Sequence, residues 1–331
     1  MDGTAVGEWV VGVDSGGSGL RIACAEAAGG RVVETESTRE PVRTGPRGIE
    51  AGHLLERLLP SVDGFLGRHG GRMVAVAVGA AGMATLGDEL RAEVPGALRQ
   101  ALGVRRLALA ADAVTAYAGA LGQRPGAVVA GGTGLVALGT DLTGWRRADG
   151  WGHLLGDCGS GAWIGRAGLE AALRAHDGRR GGSRALLAAA EQRFGPAAGL
   201  PGALYPRTDR PAVLASFAPE VARCAEEGDR VASRLLRQAA ARIAESAAAV
   251  CPAAGVEGAA RVEVALTGGL FRLGDPLLVP LEEELAAQLP HARRAAAAGD
   301  PLAGAVALAA ALAAGTLRLP EDPRLLYVPE H

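Results

Sequence analysis

A five-residue glycine-rich segment occurs twice in this 331-residue chain, and this repeat constrains the architecture more than any other feature. The first copy, GGSGL, covers residues 16–20, and the second, GGTGL, covers residues 131–135, 115 residues later. Each copy lies between two apolar runs that predict strands joined by a tight glycine turn. A chain of this length is expected to form about two domains. The repeat therefore predicts two similar domains.

The pattern between the two copies predicts an α/β domain. Three strands come first, and then helix, strand, helix, strand and helix follow in turn. The predicted strands cover residues 9–13, 20–25, 31–37, 73–78 and 107–111. Two of the predicted helices can be given limits, residues 49–69 and 113–121. This order is typical of helices packed on a mixed sheet. We expect an N-terminal domain over residues 1–121.

The second domain begins with the same strand, turn and strand, and then becomes helix-rich. Asp229 is a predicted N-cap of a helix that ends before Pro252, and a strand is expected at residues 262–266. Asp275 and Asp300 each precede a proline, which predicts the N-caps of two further helices.

These patterns set the expected domain limits. The C-terminal domain is predicted to cover residues 122–300. The last helix, within residues 301–331, is expected to return across the N-terminal domain.

Every one of the 34 basic residues is arginine, because the chain contains no lysine. A Walker A loop places a lysine on the nucleotide phosphates, and a pyridoxal enzyme needs a lysine Schiff base. Both classes are therefore excluded. The formal net charge is −2 and no basic stripe interleaved with aromatics occurs, so we expect no nucleic-acid partner.

The four cysteines, at positions 24, 158, 224 and 251, are too far apart for a zinc knuckle or a redox pair. The longest apolar stretch, residues 303–317, is shorter than the roughly 20 residues that span a bilayer. Residues 1–9 carry no secretory pattern. We expect a cytoplasmic protein with reduced thiols and no membrane contact.

Asp14 directly follows the first predicted strand and lies two residues before the first glycine-rich segment. The N–H groups of such a turn can cradle phosphate, and a carboxylate there can hold Mg²⁺ through water. The alternative is a plain hairpin with an aspartate in its turn. The second glycine turn favours phosphate binding, because two such loops facing one another can grip a triphosphate without lysine. Ile22 and Ala137 occupy the positions where a dinucleotide fingerprint needs its third glycine.

Asp112 follows an Ala- and Leu-rich strand and precedes a helix of small residues. One interpretation makes it the N-cap of that helix. The other makes it a general base at the carboxyl end of a strand, where ligands of open α/β sheets usually bind. One residue can serve both purposes.

Residues 150–165 contain six glycines, two tryptophans and a histidine, which is typical of a polar ligand-binding loop. Asp157 or Ser160 is the expected N-cap of the helix that continues to His176. Farther on, the sequence Thr-Gly-Gly at 267–269 follows a strand, where glycines let a flat ring approach the backbone. A simple turn is the alternative there.

Together these motifs resemble the N-acetylglucosamine kinase and BadF/BadG/BcrA/BcrD ATPase family, within the sugar kinase and actin superfamily. The segment from Gly-Trp-Gly to Asp-x-Gly-Ser is the specific part, and the likeness covers nearly the whole chain. The resemblance implies two ribonuclease H-like, actin-like ATPase domains around a hinged cleft. It further implies ATP and Mg²⁺ as cofactors, a small sugar as substrate and a homodimer as assembly.

The resemblance also implies residue roles. Asp112 would be the catalytic base and a sugar contact, and Asp14 would hold Mg²⁺ through water. The residues expected to bind ATP and its phosphates are Gly16, Gly17, Ser18, Gly132, Thr133, Gly134, Gly268 and Gly269. The further residues expected to bind the sugar are Gly150, Trp151 and Asp157. Apart from the resemblance, the small residues Ala80, Ala81 and Gly82 after the strand at 73–78 are expected to leave space for an acetamido group.

The sequence departs from the family pattern in three ways. Gly19 and Leu20 replace a basic residue and a threonine, residues 45–48 lack the asparagine of a Gly-Pro-x-Asn segment, and Cys158 stands where glutamate is common. The expected reaction is phosphorylation of the 6-hydroxyl of N-acetylglucosamine, with glucosamine, N-acetylmuramic acid or another hexose as alternative acceptors.

Two rival functions fit the sequence less well than a kinase does. An ATPase activator of a 2-hydroxyacyl-CoA dehydratase needs cysteines spaced for an iron–sulfur cluster, and Cys158 has no nearby companion. A sugar-responsive repressor needs a helix-turn-helix, for which about eight residues before the first strand are too few.

Overall fold

The computed structural model describes residues 7–16, 19–45, 48–255 and 261–329. Its strands are β1 (Glu8–Gly16), β2 (Gly19–Glu26), β3 (Val32–Thr38), β4 (Thr44–Gly45), β5 (Gly48–Ile49), β6 (Arg72–Ala80), β7 (Arg106–Ala111), β8 (Gly126–Gly131), β9 (Leu135–Thr140), β10 (Trp145–Asp149), β11 (Val262–Thr267), β12 (Ala292–Ala295) and β13 (Leu326–Tyr327). Its α-helices are α1 (Ala51–His69), α2 (Met83–Leu86), α3 (Asp88–Leu102), α4 (Asp112–Leu121), α5 (Gly161–His176), α6 (Arg184–Phe194), α7 (Leu200–Leu204), α8 (Arg210–Ala215), α9 (Ala218–Glu226), α10 (Arg230–Val250), α11 (Asp275–Gln288) and α12 (Pro301–Ala314).

The chain divides into two compact units. The first comprises residues 1–125, 140–145 and 296–331, and the second comprises residues 126–139 and 146–295. Each unit has its own sheet and its own buried core. The domain limits expected from the sequence stay a prediction.

The first unit is built on a six-stranded sheet with the order β13-β7-β6-β1-β2-β3. Strands β1, β6 and β7 run parallel, whereas β2, β3 and β13 pair antiparallel with their neighbours. This is the mixed sheet that the sequence predicts. Trp9 of β1 packs its ring edge on Phe65 of α1, with 5.2 Å between the ring centroids.

Helix α12 packs on β1, β6 and α4 within this unit. The helix is apolar on nearly all sides, as expected for a buried helix. Glycines permit the close approach: a Cβ built on Gly12 of β1 would lie 2.5 Å from the Val306 nitrogen. Where α4 crosses α12, Gly119 faces the carbonyl of Asp300, and Gly304 faces the carbonyl of Thr115.

We expect Gly304→Ala to lower the free energy of unfolding by about 1–3 kcal/mol, because the new methyl group would overlap the α4 backbone. The matched control is Gly96→Ala in α3, where a Cβ has open space around it. That change should stabilise the protein by about 0.5–1 kcal/mol, because alanine loses less conformational entropy in a helix. Urea unfolding of both variants tests the pair. A Gly304→Ala protein as stable as Gly96→Ala would contradict the close crossing.

The second unit contains a five-stranded sheet with the order β10-β9-β8-β11-β12, in which β8, β11 and β12 are parallel. Helices α5, α6, α9, α10 and α11 surround a core rich in alanine and leucine. The helix-rich character predicted for this part of the chain is confirmed. No helix within the described ranges is both long and apolar enough to cross a bilayer.

The predicted helix caps are mostly confirmed. Asp229 accepts hydrogen bonds from the amides at the start of α10, Ser160 caps α5, and Asp300 caps α12 through the Ala303 amide. The prediction for Asp275 is wrong: Gly274 (φ 76°) is the N-cap of α11, and Asp275 is the first helical residue. A glycine adopts the left-handed backbone needed there at little cost.

Candidate functional site

In the first unit, three parallel strands end at one edge of the sheet. Ser15 of β1 lies beside Ala80 of β6, which lies beside Ala111 of β7. Gly82 lies two residues after the end of β6, and Asp112 follows directly after β7. The fold thus gathers these predicted site residues at the carboxyl edge of the sheet, together with Asp14 and Gly16 from the end of β1. Gly17 and Ser18, both predicted to bind phosphate, lie outside the described residues.

Asp112 is the first residue of α4 and the only exposed residue of this described helix. The N-cap is Ala111, which makes no side-chain capping bond, so the interpretation of Asp112 as N-cap is wrong. Its Oδ1 accepts the Ala113 amide at 2.9 Å, and its carbonyl accepts the Thr115 hydroxyl at 2.9 Å. The positive end of the helix dipole favours a negative charge at this position. Asp112 is thus an exposed acidic residue that is hydrogen-bonded to the first turn of its own helix.

Asp14 forms an ion pair across the β1–β2 hairpin. Asp14 and Arg21 stand directly opposite each other on β1 and β2. The Nε and Nη2 groups of Arg21 donate to Oδ2 of Asp14 at 3.0 and 2.6 Å. One oxygen of the carboxylate is therefore committed to the guanidinium.

Asp300 completes the arrangement from the other end of the chain. Nη1 of Arg21 donates to Oδ2 of Asp300 at 2.5 Å, and Oδ1 of Asp300 accepts the Ala303 amide at 3.0 Å. Burial lowers the pKa of Arg21, but its bonds to Asp14 and Asp300 outweigh this effect and the net shift is upward. Burial likewise raises the pKa of Asp300, and the Ala303 amide and Arg21 turn the net shift downward. Arg21 and the carboxylates of Asp14 and Asp300 thus connect β1, β2 and the start of α12.

The geometry at Asp14 fits a magnesium contact through one oxygen. Within the described ranges Oδ1 of Asp14 accepts no hydrogen bond, and the side chain is 16% exposed. Carboxylate oxygens are preferred Mg²⁺ ligands, and this ion usually keeps several waters. In the part of the chain that the structure describes, no group of three or more metal-ligating side chains occurs. The remaining ligands of a Mg²⁺ ion at Asp14 would therefore be water and nucleotide oxygens.

Gly82 caps the short helix α2 in the left-handed conformation (φ 75°). A Cβ built on it meets no described atom within 4 Å, and the residue is exposed. The open space beside Gly82 is of the kind that the sequence analysis proposed for an acetamido group.

In the second unit, residues 131–134 form a turn that the start of α5 holds in place. The Gly132 amide donates to the Gly134 carbonyl at 2.9 Å. The carbonyls of Gly132 and Thr133 accept the amides of Gly161 and Ala162 at 2.9 and 3.1 Å. The first amides of α5 are thus used to fix the glycine turn.

The predicted adenosine motif lies next to this turn, because β8 and β11 are parallel neighbours. Gly268 has φ 102°, and a side chain there would overlap the carbonyl of Gly131. By contrast, a Cβ on Gly16, Gly132 or Gly269 meets no described atom within 4 Å. Open space at Gly132 and Gly269 of the second unit is what a close approach of phosphate or adenosine to the backbone requires, so these two residues fit ATP. Gly16 of the first unit is open in the same way.

Asp157 is buried, with 8% of its surface exposed, and lies between two loops. Its Oδ1 accepts the Gly152 amide at 3.1 Å, and its Oδ2 lies 2.6 Å from a Cβ built on Gly134. Burial raises the pKa of Asp157, the Gly152 amide lowers it, and the charge of Asp149 raises it, with a net upward shift. Asp157 thus joins the loop at residues 150–156 to the glycine turn.

The 150–156 loop presents large apolar side chains to solvent. Trp151 is 64% exposed, and the Arg147 guanidinium lies 5.0 Å from the centre of its ring. Arg147 also donates to the Gly150 carbonyl at 2.5 Å. Leu154 and Leu155 are exposed at the end of the loop.

Cys158 stands where the family commonly has glutamate, and its backbone amide is hydrogen-bonded to a neighbouring side chain. Its amide donates to Oδ2 of Asp149 at 2.8 Å. Burial raises the pKa of the Cys158 thiol, and the charge of Asp149 raises it further, so the protonated thiol predominates at neutral pH.

Three residues of the site were missed by the sequence analysis: Arg21, Asp149 and Asp300, the last of which was recognised only as a helix cap. Arg21 was detectable, because Asp14 and Arg21 are equally distant from the centre of the first turn. Asp149 carried a weaker signal as the aspartate of an Asp-Gly pair, a frequent turn dipeptide.

Comparisons with known proteins bear on the family and the fold of this chain. The model of the BadF/BadG/BcrA/BcrD ATPase family matches residues 11–308. An N-acetylmuramic acid/N-acetylglucosamine kinase from Clostridium acetobutylicum is 28% identical over 173 residues, which cover 52% of this chain and 56% of that protein. The chain therefore aligns with little more than half the length of this curated relative.

Two solved structures share the fold. A candidate N-acetylglucosamine kinase from Chromobacterium violaceum has 28% identity and a TM-score of 0.67, over 91% of this chain and 98% of that one. A second candidate N-acetylglucosamine kinase, from Porphyromonas gingivalis, has 18% identity and a TM-score of 0.64 with the same coverage. The predicted α/β, actin-like fold class is confirmed, and this chain belongs to the BadF/BadG/BcrA/BcrD ATPase family.

Proposed function

We propose that this protein is an ATP-dependent sugar kinase that phosphorylates the 6-hydroxyl of N-acetylglucosamine. The observation that carries the proposal is the position of Asp112, the exposed first residue of an otherwise buried helix at the carboxyl end of β7. A general base must reach the hydroxyl proton of its substrate, and it must be held in one orientation. Asp112 meets both conditions.

The protein's own groups supply positioning and charge. Asp112 accepts the proton of the attacking hydroxyl, and the turn at Gly132, Thr133 and Gly134 binds phosphate oxygens through its backbone. ATP and Mg²⁺, when bound, supply the phosphoryl group and a positive charge beside it. Asp14, held by Arg21, offers one carboxylate oxygen toward the magnesium ion and its water. Positioning and electrostatic stabilisation carry most of phosphoryl transfer.

The sugar contacts are proposed for Asp112, Gly150, Trp151 and Asp157, with Gly82 beside the acetamido group. An exposed indole offers a flat face to a sugar ring. A carboxylate has about four acceptor directions, so Asp157 can accept from a sugar hydroxyl in addition to the Gly152 amide. A homodimer and a cytoplasmic location remain predictions.

A panel of sugars tests the function and the acceptor together. We expect N-acetylglucosamine to exceed glucose by about tenfold in kcat/KM, since one well-filled pocket supplies discrimination of that order. The assay measures ATP-dependent phosphorylation, with the phosphorylated position assigned by NMR, and it includes glucosamine and N-acetylmuramic acid.

The result of the sugar panel distinguishes the alternative acceptors from a protein that is not a sugar kinase. If N-acetylmuramic acid, glucosamine or glucose is the better substrate, the kinase proposal stands and the acceptor changes. If the folded protein hydrolyses ATP but phosphorylates none of the sugars, the kinase proposal fails and the activator-type ATPase gains support.

A further inference from the structure

The carboxylate of Asp149 closes the base of the 150–156 loop. Asp149 is the last residue of β10, and its Oδ1 accepts the Asp157 amide at 2.5 Å. Its Oδ2 accepts the Cys158 amide at 2.8 Å. Hydrogen bonds to an ionised acceptor are about twice as strong as neutral ones. One side chain thus holds two consecutive amides on the far side of the loop.

The backbone at both ends of this connection is unusual. Asp149 has φ 59° and Asp157 has φ 54°, so both adopt the left-handed conformation that residues other than glycine rarely take. Such a conformation persists only where the surrounding structure holds it. The bond from the Asp157 amide to Asp149 joins the two strained residues directly.

Packing at Gly156 shows how closely the loop lies on the Asp149 side chain. A side chain at Gly156 would overlap Oδ1 of Asp149 and would lie 2.9 Å from Cβ of Trp151. The loop therefore folds tightly over the carboxylate, and glycine is required at this point of contact.

Holding the backbone of Asp157 also fixes the direction of its side chain. That carboxylate accepts the Gly152 amide and lies against Gly134, so it contacts both the 150–156 loop and the glycine turn. Moving the Asp157 backbone would displace both contacts. A single side chain, Asp149, thus controls the arrangement of the proposed sugar-binding loop.

We propose that Asp149 is a positioning residue that sets the affinity for the sugar by holding the 150–156 loop and Asp157 in their binding arrangement. This inference rests on the proposed function, since it takes the loop as part of the sugar site. Asp149 acts through backbone amides and needs no contact with the substrate.

Kinetics of Asp149→Asn and Asp149→Ala provide the first test, with Asp141→Asn as the matched control. Asp141 also accepts a backbone amide in a turn, from Thr143 at 2.9 Å. We expect KM for the sugar to rise about 10- to 100-fold in both Asp149 variants, the equivalent of losing a charge-assisted hydrogen bond. The rise in KM for ATP should be smaller, kcat should change little, and Asp141→Asn should match wild type.

Limited digestion with chymotrypsin provides a readout that does not depend on activity. Leu154 and Leu155 are exposed cleavage sites in the loop, and cleavage requires the loop to open locally. We expect cutting within residues 150–156 to be about tenfold faster or more in Asp149→Ala, because the two carboxylate bonds close the loop. Asp141→Asn should be cut at the wild-type rate, and melting temperatures show which variants fold.

If Asp149→Asn has the wild-type sugar KM and the wild-type cleavage rate, the inference is overturned. This outcome is decisive even if Asp149→Ala fails to fold, because it depends on the Asn variant alone. If cleavage accelerates but the sugar KM stays unchanged, Asp149 holds the loop and its role in sugar affinity is refuted. If the wild-type protein phosphorylates no sugar, the proposed function fails together with that role, while digestion still reports whether Asp149 holds the loop.

Discussion

Replacing Asp112 by Asn should lower kcat by about 100- to 10,000-fold, the range typical of removing a general base. Asparagine keeps the size of the side chain and can still accept the Ala113 amide that Asp112 accepts at 2.9 Å. It cannot take a proton from the attacking hydroxyl. The loss should therefore appear in kcat, with KM for the sugar changed much less.

Asp88→Asn is the matched control for this experiment. Asp88 is likewise the first residue of a helix in the same unit, α3, and its side chain is 94% exposed. The control removes the same helix-dipole interaction and leaves the proposed base in place. Steady-state rates with saturating ATP and sugar measure the difference. A kcat of Asp112→Asn within a factor of a few of Asp88→Asn would refute the assignment of Asp112 as the base.

The second large effect is expected at Gly134. Alanine there would place its Cβ 2.6 Å from Oδ2 of Asp157, so that either the carboxylate or the glycine turn must move. A misplacement of about 1 Å in a catalytic arrangement can cost about 100-fold in rate, and we expect a loss of that order in kcat/KM. Both the sugar and the nucleotide should bind less well, because Asp157 contacts the 150–156 loop and the glycine turn.

Gly202→Ala controls for the extra methyl group in the same unit. Gly202 lies in α7, and a Cβ there meets no described atom within 4 Å. Its kcat/KM should equal that of wild type. A fully active Gly134→Ala protein would show that the contact between Asp157 and the glycine turn is unnecessary for activity.

Much of the fold can be predicted from local patterns in the sequence. The glycine repeat correctly predicts a pair of neighbouring strands around each copy, because apolar runs and glycines are local signals; the first turn itself, at residues 17–18, lies outside the described residues. Asp229 and Asp300 are correctly predicted as helix caps, because a cap bonds amides two or three residues away. The fold class and the family are predicted from the same signals.

Local patterns fail where an element is short or where its partner is distant in sequence. Strands β12 and β13 have four and two residues and are stabilised by pairing with β11 and β7, so they carry little signal of their own. The capping interpretation of Asp112 fails for a related reason. The helix begins at Asp112 itself, one residue earlier than a cap at Asp112 requires, and Ala111, the last residue of β7, takes the N-cap position.

The sequence alone determined which residues carry chemistry: Asp14 before the first glycine turn, Asp112 after a strand, and Asp157 in the glycine-rich loop. Only the tertiary structure decided how they are held. Asp300 reaches Arg21 across 279 residues, and Asp149 reaches the amides of Asp157 and Cys158 by folding a loop over its own carboxylate. Such contacts depend on the packing of whole elements and on strained backbone at single residues, and neither is encoded in a local pattern of residue types.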